Sequence, residues 1–566
     1  MLFSRLTALT GFASVIFPIL AIGDDGVMAS NAAQPNEALR LFNENREKAA
    51  ERQARQRFQQ LRKPEPATEP ATPSETQSDS ACWPVSGVEL SGHTLLSEVS
   101  LRAAMQPSLS DCMSAAQLNA MLAALTGAYV DAGYIASRPH LANIPEAGGA
   151  LHVEMIEGFV EAIELGDPQL PISLAGAFPD MQGRPLHLPD LEQGLDQLNR
   201  LTSVDLEVEI APGRQTGASR ILINTRHPGA QGRRWRLATL YNNNGSDSSG
   251  RHNGLLQASI DSPLYLNDLL AVTYGHTLGR RSGYSKQANV FYQIPYGHWT
   301  LDTWLSDIHT RSLIGERRHE VTQALHSRGF KVDRNVWRNQ HTLLNANLRL
   351  DHKRSNSTFE GRRLTESDMR LTVAEVGLGF TRLGRSQWNG YTGYAQGMSW
   401  LDADERTPRA GAVQPRFEKY VADLAQTTWF TLPTGPLQWR TQLNLQYSPD
   451  PLPDLEQLRL AGNNSVRGYR LDGQSMSSGA VLRNTWQSPH RLTDWLNLTP
   501  HLALDAGWGR HSYSLKQIQH AIGASLGSSL GWEGGQLKLD YQRGLKRRAN
   551  TGLEPGFWLI ELAHYF

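Results

Sequence analysis

From about residue 230 to the C-terminus, apolar and polar positions alternate in segments of roughly ten residues, the period of a strand with one dry face and one wet face. In residues 438–447, Trp439, Thr441, Leu443, Leu445 and Tyr447 share one face, and Arg440, Gln442, Asn444 and Gln446 share the other. In residues 343–351, Leu344, Ala346, Leu348 and Leu350 oppose Asn345, Asn347, Arg349 and Asp351. Strands of a soluble sandwich alternate too, but they are shorter, and here the segments begin or end in Trp or Tyr. The region divides into about sixteen strand-plus-turn units of roughly 21 residues. The pattern predicts a transmembrane β-barrel of antiparallel strands over residues 230–566.

Two shorter patterns come before it. Residues 85–92 alternate, residues 115–133 place Leu118, Leu122, Leu125 and Tyr129 at helical spacing, and residues 134–141 and 150–158 read as short strands. The order then repeats, with a strand at 161–167, a helix at 188–201 and strands at 205–213 and 218–226. This repetition predicts two small α+β domains, 82–158 and 159–229.

Ahead of these domains, residues 1–23 have Arg5 followed by an apolar run ending in small residues, the pattern of a secretory signal peptide cut after Gly23 or in the following 28–33 stretch. Within 24–62, residues 35–62 are rich in Ala, Glu, Arg and Gln, a good helix by propensity. Its few large apolar residues, among them Leu39, Leu41, Phe42, Phe58 and Leu61, lie only at its ends. A helix polar nearly all round has no core to face; it is either a solvated leader or a plug seated in a polar lumen. Residues 63–81 form a Pro/Ser/Thr/Glu linker.

The formal net charge is zero and names no nucleic-acid partner, but it is split. Residues 64–229 hold 7 basic against 21 acidic side chains, and residues 230–566 hold 39 basic against 28 acidic. After the N-terminus no run reaches the ~18 apolar residues of a membrane helix, which leaves barrel strands as the way to cross. In an exported chain the two cysteines, Cys82 and Cys112, read as a disulfide, and two thiols alone do not complete a tetrahedral metal site. No metal-ligand spacing, phosphate-cradling loop or nucleotide motif occurs, so no cofactor is expected.

The most distinctive stretch is 458–473, LRLAGNNSVRGYRLDG, a long loop between two strands within about 448–478. Its Val466-Arg467-Gly468-Tyr469 resembles the hallmark of the TpsB transporters of two-partner secretion, members of the BamA-like outer-membrane superfamily. The resemblance extends to residues 82–92 (CWPVSGVELSG), 133–138 (GYIASR), 191–201 (LEQGLDQLNRL), 265–270 (YLNDLL, placed after the first barrel strand) and the terminal Phe566. It implies that 82–158 and 159–229 are POTRA domains and that the loop folds back inside the barrel. It further implies that Arg467 pairs with lumen-facing Asp505, with Gly507 leaving room beside it. Two residues before that aspartate, where the family has an aromatic, this chain has Ala503. Trp558, Ile560, Leu562 and Phe566 resemble the C-terminal signal read by the barrel-assembly machinery, with His564 departing from the apolar run.

By the same resemblance the protein is a transporter and not an enzyme, working as a monomer in a Gram-negative outer membrane with its POTRA domains in the periplasm. It would recognise a large unfolded exoprotein there (a haemolysin, adhesin or contact-dependent toxin) and pass it through the barrel to the surface. Alternatives are a BamA- or TamA-like insertase, which would carry more or different periplasmic modules, and a barrel hydrolase. The hydrolase would use residues 523–527 (GASLG), with Ser525 as nucleophile and His520 nearby, on a strand-to-helix elbow.

Overall fold

The computed structural model describes residues 82–142, 148–227, 232–279, 283–364, 368–404, 415–433, 435–470, 474–510, 518–547 and 553–566. The expected signal peptide, the helix at 35–62 and the linker at 63–81 lie outside them.

The first domain packs helices Glu98–Met105 and Ala115–Asp131 on a sheet in which Gly87–Ser91 and Arg138–Leu141 flank Ala150–Ile156. Ser114 starts the longer helix with a reciprocal capping box to Gln117, satisfying the first free amides. Met121, Leu125 and Tyr129 form its buried face, against Val153 and Met155. A two-stranded ladder, Cys82–Pro84 on Cys112–Ser114, closes the domain's edge, and Cys112 is disulfide-bonded. The second domain repeats the plan: Phe159–Leu165, Leu206–Pro212 and Ala218–Thr225 form its sheet, and helix Leu188–Leu198 buries Leu191, Leu195 and Leu198 against Ile221 and Ile223.

The remaining chain closes an antiparallel barrel of sixteen strands among the described residues, with the two-residue pieces Arg362–Arg363 and His490–Arg491 extending hairpins. Strand lengths run from 8 residues in the first, Trp235–Asn242, to 20 in the sixth, His319–Arg338. The last strand, Phe557–Tyr565, closes on the first through the short ladder Glu561–Asn242 to Tyr565–Ala238. Asn243 fastens this seam, donating to the Trp558 carbonyl and accepting from the Ile560 amide. Trp558, Leu562 and Phe566 are exposed on the outer wall, as Leu344, Leu348, Trp439 and Leu445 are on theirs, while Asn345 and Asp351 are buried inside.

The second domain sits on the turn end of the barrel. Helix Leu188–Leu198 turns Gln193, Asp196 and Gln197 toward the turn at Gly297, whose carbonyl accepts from Gln197 at 2.8 Å, and Arg338 pairs with Asp196. The 265–270 stretch lies after the second barrel strand, Asn253–Asp261, and not after the first as expected, because the chain turns through residues 243–252 and makes two antiparallel strands before it. There Asn267, in a left-handed conformation, exchanges two bonds of 2.8 Å with the Ser173 backbone.

Candidate functional site

The loop between the eleventh strand, Gly435–Tyr447, and the twelfth, Ser478–Gln487, does not extend outward. It doubles back against the inner wall, burying Leu460, Val466, Tyr469 and Met476 with Val481 and Ala521. Alternation explains why the wall receives it there. On the thirteenth strand, Asn497–Arg510, Leu502, Leu504 and Trp508 are exposed outside, so Asp505 and Gly507 face in.

At the loop tip Arg467 donates from Nε to Asp505 Oδ2 at 2.6 Å and from Nη2 to Asp505 Oδ1 at 2.7 Å, the parallel two-point geometry of a guanidinium on a carboxylate. The Arg467 amide adds a third bond to the same carboxylate at 3.1 Å. Nη2 also reaches Thr485 Oγ1 at 3.0 Å, and Arg467 and Asp505 are 6% and 1% exposed.

The neighbours of Arg467 hold its position. Gly468 has φ +93°, and a Cβ there would lie 2.2 Å from the Arg543 carbonyl carbon, so both conformation and space require glycine. Its amide donates to Gln542 Oε1 at 3.1 Å on the fifteenth strand, Gly535–Arg547. The Tyr469 hydroxyl shares its proton between the carbonyls of Lys546 (2.7 Å) and Ile522 (2.8 Å). These flank a register shift at which Leu545 is the extra residue, so the tyrosine serves acceptors at a bulge in the ladder. Val466 packs on Gly507, where a Cβ would stand 3.0 Å from its Cγ2. Sequence reasoning missed Gly523 and Gly544: a Cβ at Gly523 would meet the Arg467 carbonyl at 1.7 Å, and one at Gly544 the Tyr469 ring at 2.7 Å.

A second attachment was also missed. Glu456, in the short turn Asp454–Glu456 near the start of the loop, accepts from Lys353 Nζ at 2.5 Å and from Lys419 Nζ at 2.6 Å. All three side chains are at most 2% exposed. Lys353 comes from the seventh strand, Thr342–Phe359, and Lys419 from the tenth, Glu418–Leu432. Beside them Leu455 packs on Ile308, Leu325 and Leu371. Inward parity could have flagged Lys353, which continues the row Asn345, Asn347, Arg349, Asp351, but no local pattern marks a partner 103 residues away.

The hydrolase alternative fails on geometry. Ser525 lies in mid-strand within Gln519–Trp532, with no helix following, and His520 is five positions earlier on the opposite face of the wall. Outside the lumen, Asp190 bridges the second domain to the barrel, 2.9 Å from His187 Nδ1 and 3.2 Å from His298 Nε2. Burial pushes its carboxyl up, but the hydrogen bonds from the two imidazoles outweigh that and hold it well below the usual carboxylate range.

Comparison with known proteins adds three kinds of likeness. Residues 83–158 match the ShlB-type POTRA domain, 159–212 a POTRA domain, and 217–530 the haemolysin secretion/activation protein family ShlB/FhaC/HecB. The hemolysin transporter protein ShlB of Serratia marcescens is 31% identical over 548 residues, 95% of each chain. The outer membrane transporter CdiB of Escherichia coli is 30% identical over 460 residues, 78% of this chain and 75% of that one. The solved structure of CdiB from Escherichia coli superimposes with a TM-score of 0.86 at 25% identity, covering 94% of this chain and all of the other.

Proposed function

The chain belongs to the haemolysin secretion/activation protein family ShlB/FhaC/HecB, and we propose from that membership that it is the outer-membrane transporter of a two-partner secretion system. It stands in a Gram-negative outer membrane with its POTRA domains in the periplasm. Those domains take up a large exoprotein before it folds, and the barrel passes it to the cell surface. We take the exoprotein to be of the haemolysin or contact-dependent-toxin kind; one relative is named a hemolysin transporter. Transport needs no nucleotide, because folding of the exoprotein outside draws it through, while polar inward side chains keep the extended chain hydrated.

The observation carrying this reading is the inward-folded loop, bound at its tip by Arg467 to Asp505. A loop held this way occupies the space an exported chain would use. We take the pair as the latch that orders the loop, with Gly468 and Tyr469 seating it. Residues 35–62 act as a second, removable obstruction. Phe566, Leu562, Ile560 and Trp558 are the address for barrel assembly, and Cys82 and Cys112 staple the first POTRA domain. The test is co-expression with a large exported β-repeat protein sought in the adjacent open reading frame. The exoprotein is expected in the medium with the whole chain and in the periplasm when residues 82–229 are deleted. Retention with the intact chain, or general loss of other barrel proteins when the chain is removed, would overturn the reading.

A further inference from the structure

The outer wall of the fifth to seventh strands changes character along its height. Near the POTRA end, the exposed outward positions are mostly apolar, Trp299 and Leu305 on Trp299–Ile314, Trp337 and Phe330 on the sixth strand, Leu344 and Leu348 on the seventh, and the basic side chain among them, Arg334, stacks on the Trp299 ring at 4.9 Å. Farther up, the same outward positions become His326 and Arg328 on the sixth strand and His352 and Arg354 on the seventh. Arg328 is paired with His352, and His326 with Arg354, so the four lie together. Arg328 is nine positions above Trp337 on one strand. At an axial rise of roughly 2.5 Å per residue in a tilted strand, that is about 23 Å, close to the height of the apolar band of an outer-membrane barrel. The basic group therefore stands where the headgroups of the outer leaflet begin.

A shallow groove joins the two levels. Its lower part, about 420 Å³, is floored by Val290, Leu305, Phe330 and Leu350 and walled by Leu401 from the loop after the ninth strand, Ser386–Met398. Val290, Leu305, Arg328 and His352 continue into its upper part, which Arg354 and His326 complete. Arg328 and Arg354 are exposed, and neither makes a hydrogen bond or ion pair among the described residues. The carboxylate in this row, Asp307, is engaged by His309 at 2.8 Å and by His326 at 3.4 Å.

An apolar channel leading to two unpaired guanidiniums at headgroup height matches one kind of occupant, an acyl chain ending in a phosphate. We propose that this groove binds a phosphorylated glycolipid of the outer leaflet, with an acyl chain on the Val290–Leu305–Phe330–Leu350 floor and a phosphate between Arg328 and Arg354. The site goes beyond transport itself and rests only on the outer-membrane placement, which fractionation of the same cells tests separately. A guanidinium presents forked donors that fit phosphate oxygens, and basic residues at a membrane surface gain from anionic headgroups. The leaflet follows from orientation, because the second POTRA domain holds the opposite end of these strands at Gly297 and Arg338.

The experiment purifies the full chain from outer membranes in mild detergent and measures glycolipid per barrel from its 3-hydroxy fatty acids. Arg328→Gln/Arg354→Gln is expected to retain at least fivefold less than the native chain, and Arg317→Gln/Arg318→Gln, two arginines at a turn outside the groove, is expected to retain the native amount. Should the double variant fail to reach the membrane, Arg354→Gln alone carries the same comparison. In a second arm the delipidated barrel is offered lipid A or phosphatidylglycerol and examined by native mass spectrometry. A lipid A adduct that disappears in the groove variant supports the site. Equal glycolipid in the groove and turn variants, or phosphatidylglycerol binding as well as lipid A with the same arginine dependence, would overturn it.

Discussion

Arg467 and Asp505 meet where water is nearly excluded, so removing either strands the other. Losing one partner of a buried pair costs about 3–5 kcal/mol, against at most about 1 kcal/mol for an exposed pair. Arg467→Ala and Asp505→Ala are each expected to insert normally and to lose most secretion, and the double variant is expected to be little worse than either, since all three remove one interaction. Secretion at matched barrel levels checks this; additive defects or an inert Arg467→Ala would refute it. Glu456 makes the opposite arrangement, one carboxylate between two ammoniums. Glu456→Gln would leave Lys353 and Lys419 facing each other without it, whereas Lys353→Met leaves a neutral Lys419–Glu456 pair. Protease cleavage within the loop on intact cells is therefore expected to rise roughly tenfold for Glu456→Gln, a shift of about 1.4 kcal/mol, and much less for Lys353→Met. Equal cleavage of the two variants would discount the lysine pair. At this scale parity along a strand was enough to point Asp505 inward. Nothing local could mark Glu456, because the need for a buried anion is created by lysines from two distant strands.

Single elements were legible where one face decides them and less so where two domains share them. The 115–133 stretch showed its helix through Leu125 and Tyr129, both fully buried in the structure. The 188–201 stretch was expected as a helix, and Leu191, Leu195 and Leu198 form its buried face, but its Gln193, Asp196 and Gln197 gave no hint that they face the barrel turn, since buried polar residues look solvated in sequence. Asp190 at that junction supplies a pH test. Its carboxyl is depressed in the folded protein, so its contribution is fully present above the ordinary carboxylate value near 4 and is lost as pH falls below it toward the lowered one. Proteolysis at the Gly297 turn is thus expected to be flat from pH 8 to about 5 and to increase only in stronger acid. Asp190→Asn should raise it at neutral pH by at most about fivefold, the worth of a half-exposed pair, and remove the acid step; a pH-independent native junction would contradict this. In the first domain, a disulfide closing a loop of about 30 residues constrains the unfolded chain by roughly 3–4 kcal/mol. Cys112→Ser should lower that domain's denaturation midpoint while leaving the barrel's heat-resistant mobility unchanged, and an unaltered midpoint would count against the staple.

For the whole molecule, alternation fixed the barrel because a closed wall between lipid and water permits no other pattern, and sixteen strands followed from dividing a length by a repeat. The irregular parts were harder to place. The extent of the loop's contact depends on small wall residues such as Gly523 and Gly544, whose role exists only once the loop lies against them. The leader tests the largest-scale consequence. A sixteen-stranded barrel encloses an aqueous lumen, and a 35–62 helix would be about 42 Å long and roughly 10 Å across, enough to fill much of what the loop leaves open. A helix over 35–62 would have a polar surface that suits a lumen lined by side chains such as Asn345, Asp351 and Lys331, and a linker of 19 residues can span up to roughly 59 Å when extended. Deleting 35–62 is therefore expected to raise single-channel conductance in planar bilayers severalfold while secretion stays near normal, because the latch at Arg467 and Asp505 is untouched. Arg467→Ala in the full chain should do the reverse, cutting secretion with the leader still in place. If deletion leaves conductance unchanged, the helix is a solvated leader. If deletion abolishes secretion at normal barrel levels, residues 35–62 serve the export step itself and not merely the closed pore.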